Sequence, residues 1–171
     1  MGTSQIVELA SPLEQTKCDS GAVNIAAGIK FGLGVVLAAV ANPARQGVNV
    51  EAATLPAGAE VEAAFGGIVL RSTVGQCDEN GNGYVAYKKM AAVAKPNRAG
   101  FRVWVKANQT DIAYGDDVYW IIADETDHGF DIGSFSNVAI AEGGDTDTVK
   151  LTEGKFVSGV QNGMVLVEFK K

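Results

Sequence analysis

The chain has 171 residues, with 14 Lys and Arg against 20 Asp and Glu, for a net charge of −6, which fits one soluble, mildly acidic domain. That balance argues against a basic nucleic-acid binder, and 47% hydrophobic with 20% charged residues is too apolar for a disordered chain. Glycine, at 21 residues, exceeds the usual share of roughly 7%, so frequent turns between short strands are expected.

The opening MGTSQIVELA has no cationic cluster before an apolar run, so no secretory signal is expected. The uncharged stretch from Phe31 to Ala44 contains Gly32, Gly34 and Pro43 and is shorter than the roughly 20 residues of a membrane-spanning helix. Cys18 and Cys77 lie far apart with no Cys or His at metal-ligand spacing. They read as two thiols rather than a zinc site, with a disulfide between them arithmetically possible.

Residues 1–24 read as an extended N-terminal arm carrying an apolar patch at Ile6, Val7 and Leu9, followed by Pro12. A first edge strand is the ordinary alternative for this segment. Residues 25–171 then form a single β-rich domain. From Gly28 to Val40, GIKFGLGVVLAAV suits a buried strand or a tightly turned strand pair. Asn42 to Ala64 reads mostly as loop, with room for a short helical turn within Gly58–Ala64.

The rest is a series of strand signals at Phe65–Ser72, Val85–Lys95, Phe101–Ala107, Asp117–Ala123 and Asn137–Ala141. In Phe101–Lys106 the alternation puts Phe101, Val103 and Val105 on a core face and Arg102, Trp104 and Lys106 on the other. A tryptophan between two cations on an outer face suits an interface, or else a small cluster beneath a loop. At the C-terminus Asn162-Gly163 separates KFVSGVQ from MVLVEFKK, the strongest short-range signal for a β-hairpin. Many short strands without alternating long helices predict an all-β fold, a small β-barrel or β-sandwich with an extended N-terminal arm and a C-terminal β-hairpin.

Chemical motifs are sparse. Asp78 to Gly83 opens like a calcium loop, but the twelfth position is Lys89 where a bidentate Glu is needed. The only histidine, His128, sits in the acidic run Asp124–Gly129 without a nucleophile motif. Asp116, Asp117, Asp145 and Asp147 neighbour glycine-rich turns, and the glycine-rich segment matches no nucleotide-binding pattern. No catalytic residue, cofactor or metal is expected. A small β-barrel ligand- or carbohydrate-binding module, stacking its ligand on Tyr119, Trp120 and Phe130, is the rival reading, with a hydrolase built on His128 a third.

The order of segments resembles the bacteriophage head decoration proteins, also called structural cement proteins. The resemblance rests on the early strand pattern Ile29–Leu37, Gly67-Ile68-Val69, and Gly100-Phe101-Arg102-Val103-Trp104-Val105. It continues through Gly115-Asp116-Asp117-Val118-Tyr119, Gly129-Phe130 and the closing Val165-Leu166-Val167-Glu168-Phe169. It implies a non-enzymatic protein that binds the outside of an assembled tailed-phage head between capsomers and stabilises the shell. The implied partner is the major capsid protein, in a homotrimer, with no direct nucleic-acid contact and no membrane. It further implies assembly in the host bacterial cytoplasm and residence on the outer surface of the virion head. The candidate contacts are Ile6, Val7, Leu9 and Pro12 on the arm, and Trp104.

Overall fold

The computed structural model describes residues 18–41, 49–71, 76–77, 83–87, 89–94, 100–124, 129–142 and 145–170. In chain order these form β1 (Cys18–Val23), β2 (Ile29–Lys30), β3 (Gly34–Ala41) and β4 (Asn49–Thr54). After one 3-10 turn at Glu62–Ala64 come β5 (Gly67–Val69), β6 (Gln76–Cys77), β7 (Gly83–Val85), β8 (Met90–Ala94) and β9 (Phe101–Lys106). The remaining strands are β10 (Asp117–Ile121), β11 (Phe135–Ser136), β12 (Ala141–Glu142), β13 (Asp145–Thr146), β14 (Thr148–Phe156) and β15 (Met164–Phe169). The fold is all-β, as the sequence predicts.

Five strands close into a barrel in the order β1-β4-β3-β5-β8, the ring being completed by β8 against β1. Within it β1 runs parallel to β4 and antiparallel to β8. A second sheet, in the order β11-β10-β14-β15-β9, curls into a half-barrel. Its two ends approach where Ala107, just past β9, bridges to Phe135 in β11. β2-β7-β6 and β12-β13 form smaller ribbons.

Strand alternation explains how these sheets share a core. Phe101, Val103 and Val105 of β9 are buried as their spacing predicts, and Val165, Val167 and Phe169 of the neighbouring β15 join them. These side chains belong to one apolar cluster with Val35, Ile68 and Val93 of the barrel. Phe65 is the hinge pin of that cluster. Its ring lies 5.1 Å from Trp120 at 70°, 6.2 Å from Phe135 and 6.3 Å from Phe169. Backbone bonds reinforce the seam, from Gly34 N–H to the Gly133 carbonyl at 2.7 Å and from Lys106 N–H to the Gly32 carbonyl at 3.0 Å.

The C-terminal hairpin turns at Asn162 and Gly163, whose φ values of 51° and 76° are those of a type I′ turn. Gln161 and Met164 exchange both backbone hydrogen bonds across it. Its first strand nevertheless begins at Thr148, because β14 continues seven residues before the predicted Lys155.

Other expectations need correction. Asn49–Thr54, read within a loop, is a barrel strand, since its small Ala52 and Ala53 are buried where β1 and β3 both press close. Of Asn137–Ala141, read as a strand, residues 137–140 lie between the short β11 and β12, with Val138 held by the Ser136 hydroxyl, and only Ala141 is in β12. Ile29–Val40 divides at Phe31–Leu33 into β2 and β3, which belong to different sheets. The helical turn within Gly58–Ala64 is present only as the 3-10 turn. Residues 1–17 of the predicted arm lie outside the described residues, and Cys18–Val23 of that segment is already barrel strand.

Candidate functional site

Alternation in the half-barrel leaves one face outward, and that face carries the polar chemistry. On β9 it presents Arg102, Trp104 and Lys106, with Glu168 and Leu166 of β15 opposite the first two, while Met164, the register partner of Lys106, is buried in the core. Trp104 is half-buried and packs against the core cluster, so its large ring is partly spent on holding the sheet rather than standing free. Arg102 pairs with Glu168 at 2.5 Å, and Lys106 pairs with Asp131, which Lys30 also reaches at 3.2 Å.

Farther across the same sheet, Asp117 on β10 accepts hydrogen bonds from Lys150 and Lys155 of β14, each at 2.6 Å. Lys155 faces Glu168 in the neighbouring register position. Charges therefore alternate in sign across four strands, from Lys150 through Asp117, Lys155 and Glu168 to Arg102. Hydrogen bonds from Lys150 and then Lys155 lower the Asp117 carboxyl to a pKa of about 2. Burial alone would raise Asp131, yet the hydrogen bonds and charges of Lys106 and Lys30 leave it below the usual carboxylate value. Exposed ion pairs of this kind contribute little stability individually. Together they give the outer face of the curled sheet an electrically mixed surface.

A second feature stands beside this face. The turn Ala113–Asp116 carries Tyr114, 78% exposed, and its Asp116 carboxylate accepts from both the Ala113 N–H and Asn137 Nδ2 at 2.9 Å. Those two bonds, the backbone one first, lower the Asp116 pKa. The sequence motif Gly-Asp-Asp thus divides its two carboxylates between pinning a turn and joining an ion-pair ladder, and neither faces the other across a cleft.

The other sequence candidates fare differently. Trp120 is fully buried between the two sheets, and alternation sends its neighbour Tyr119 to the outer face beneath Lys150, 5.9 Å from the ring centre. A stacking platform of Tyr119, Trp120 and Phe130 is therefore not formed, because adjacent strand residues point to opposite sides. Cys77 is a free, exposed thiol. His128, residues 78–82 of the calcium-like string, and Ile6, Val7, Leu9 and Pro12 lie outside the described residues. Among the described residues no group of three His, Cys, Asp or Glu side chains is placed to hold a metal ion.

The outer face of the half-barrel is thus ion-paired across four strands and stands beside a turn that exposes Tyr114. Residues 9–170 match the family described as Structural cement protein (E217 gp24/Pam3 gp6). The chain belongs to the structural cement protein family. This cement protein has a structural role in the virion, as a capsid decoration protein that stabilises the shell. The match includes Leu9 and Pro12, so part of the arm falls within the family's extent. Its fold is similar to a chain from the capsid of Myoviridae phage XM1, with a TM-score of 0.60 and 15% identity over 100% of this chain and 91% of that one. No curated protein matches the cement protein's sequence.

Within the family the glycines that carried the sequence resemblance have visible work. Gly34, in the early strand pattern, lets β3 pass against Trp120 and Phe65, and Gly115 takes φ +93° at the Tyr114 turn. Sequence reasoning passed over Tyr114 because a turn residue between Ala and Gly carries no periodic signal. The Gly-Asp pair following it was the available clue.

Proposed function

We propose that this cement protein binds the outer surface of the assembled head where subunits of the major capsid protein meet, as a homotrimer, and holds neighbouring capsomers together. The observation that carries the reading is the family match across nearly the whole chain. Binding to the assembled shell but not to its separated subunits stabilises assembly by mass action. Closed threefold symmetry gives each trimer several simultaneous contacts, and linked weak contacts yield strong overall attachment.

The arm residues Ile6, Val7, Leu9 and Pro12 supply one contact, lying along a capsid subunit, and the Trp104 face supplies another. What favours the outer face is its ordered alternation of charge around an apolar ring, since electrically patterned surfaces select partners and fix their orientation. What favours the arm is the position of Ile6, Val7, Leu9 and Pro12 ahead of β1, the first described strand.

The test uses purified heads stripped of the cement protein. Full-length protein added back is expected to co-sediment with heads at a copy number comparable to the shell protein and to raise the temperature at which they release DNA. Deleting residues 2–15 is expected to reduce occupancy while the melting profile of the free protein stays unchanged. Failure of the full-length protein to bind heads refutes the reading, and a monomer by analytical ultracentrifugation both free and on heads refutes the trimer.

A further inference from the structure

Among the described residues the large exposed apolar side chains are Val61, Tyr87, Tyr114 and Val138, of which Tyr114 is the most open and Val61 the next. Its setting is unusually firm for a loop tip. The Asp116 N–H donates to the Ala113 carbonyl across the turn at 3.3 Å, while Gly115 N–H donates to the Phe156 carbonyl at 2.8 Å and Phe156 N–H returns to the Asp116 carbonyl at 3.1 Å. Lys155 Nζ adds a bond to the Gly115 carbonyl at 3.2 Å.

The same turn is stitched to a second apolar residue. Asn137, which donates to the Asp116 carboxylate, immediately precedes Val138, 47% exposed, whose N–H is held by Ser136 Oγ at 3.1 Å. Ser136 Oγ in turn donates to the Val138 carbonyl at 2.9 Å. Two apolar side chains from segments more than twenty residues apart are therefore carried by backbone fixed to one carboxylate.

Turn chemistry explains every residue here except the tyrosine. A positive φ at the third turn position calls for Gly115, and the side-chain bonds call for Asp116, whereas the second position of such a turn accepts most residues. Leaving a ring in water gains nothing for the free protein. A rigid exposed aromatic is, however, the usual anchor of a binding surface, because it buries much area while losing little conformational entropy.

We propose that Tyr114, with Val138 on the loop that Asn137 ties to its turn, is an anchor by which this protein docks on the capsid, entering an apolar pocket of a shell subunit rimmed by basic side chains. The inference rests on the capsid-binding reading above. Charge identifies the occupant's chemistry. The chain carries −6 overall, Asp111 is exposed three residues before Tyr114, and the Asp116 carboxylate lies at the base of the turn, while Lys155, the cation that reaches the Gly115 carbonyl, is already paired with Asp117. A basic rim complements that surface, and complementary charge favours productive encounter.

The experiment measures binding of full-length Tyr114→Ala and Tyr114→Phe to cement-free heads, alongside the native sequence and with free-protein melting recorded for each. Loss of an anchor of this size is expected to weaken binding by roughly tenfold or more. The phenylalanine variant is expected to keep most of the affinity, and both variants to melt like the native protein. If the native protein binds heads and Tyr114→Ala binds within about twofold of it, the anchor is refuted while the capsid-binding reading stands. If Tyr114→Ala instead dissociates a free oligomer with head binding per subunit unchanged, the residue faces another copy and the proposal also fails. If the native protein itself does not bind, it is the underlying reading that fails.

Discussion

Gly34→Ala tests whether the two sheets meet as closely as their shared core requires. A methyl at Gly34 would lie 2.6 Å from Trp120 Nε1, 2.8 Å from Phe65 Cε2 and 2.9 Å from Trp120 Cδ1. Comfortable carbon contacts are about 3.5–4.0 Å, so two rings must each yield by roughly 0.6–1 Å. Neither is a loose end, since Trp120 is wholly buried and Phe65 touches three other aromatic rings. The backbone has little room to retreat, because the Gly34 N–H is bonded to the Gly133 carbonyl of the opposite unit. Overpacking of this kind costs about 1–3 kcal/mol, and two fixed rings place it at about 2–3 kcal/mol. For a chain of this length each kcal/mol moves the melting midpoint by roughly 2–4 °C, giving a fall of about 4–12 °C. Thermal unfolding followed by near-ultraviolet circular dichroism reads both the midpoint and the tryptophan environment. Phe65→Leu should relieve part of the clash, so the double variant should melt higher than the two separate losses would give if added. A Gly34→Ala protein that melts with the native one, or strict additivity in the double variant, would refute the close seam.

Three further outcomes follow from the polar groups. The Asp117 carboxyl should titrate near pH 2 by carboxyl-carbon NMR; because its folded pKa lies below the ordinary 3.8, its stabilisation is complete above that pH and is lost as pH falls through about 2. A midpoint at the ordinary value would mean that Lys150 and Lys155 do not hold it in solution. Asp147 is 1% exposed, and neither carboxylate oxygen has a hydrogen-bond partner among the described residues, so Asp147→Asn gives up no side-chain hydrogen bond made by those residues and should leave stability at or above the native value. Chemical denaturation would show a loss of stability if a bound cation or water satisfies that carboxylate. Finally, Asp116→Ala should release the Tyr114 turn and lower head binding in the same direction as Tyr114→Ala, and full retention of binding would show that rigidity of the turn is unimportant.

The parts of the fold legible in sequence were those governed by neighbours along the chain. Alternation in Phe101–Lys106 identified the buried face of β9, and Asn162-Gly163 identified the turn of the closing hairpin. Segments governed by distant partners were harder. β4 reads as loop because alanines carry little β signal, yet Ala52 and Ala53 fit where two other strands crowd them. The run Asp117–Ala123 is apolar enough to suggest exposed aromatics for a ligand, but the half-barrel packs Trp120 inward against Phe65. For the contact surface, Trp104 was visible as an aromatic between cations, although its partial burial was not. The ion-pair ladder was invisible, since Lys150, Asp117, Lys155 and Glu168 meet only through strand pairing. Tyr114 acquires meaning only when Asn137, 21 residues beyond Asp116, reaches back to fix its turn.

The position of β1 has a mechanical consequence. It is the first described strand, and it lies between β8, with which it shares five register pairs, and the parallel β4. A pull along the axis of β1 would load the hydrogen bonds on both flanks together in shear rather than open them one after another. The C-terminal hairpin sits in the other sheet, joined to the barrel through a continuous apolar interior, and does not peel with β1. A strand flanked on both sides in this way resists a pull along its axis through many bonds at once, so β1 is the part of the barrel least readily drawn out of its sheet.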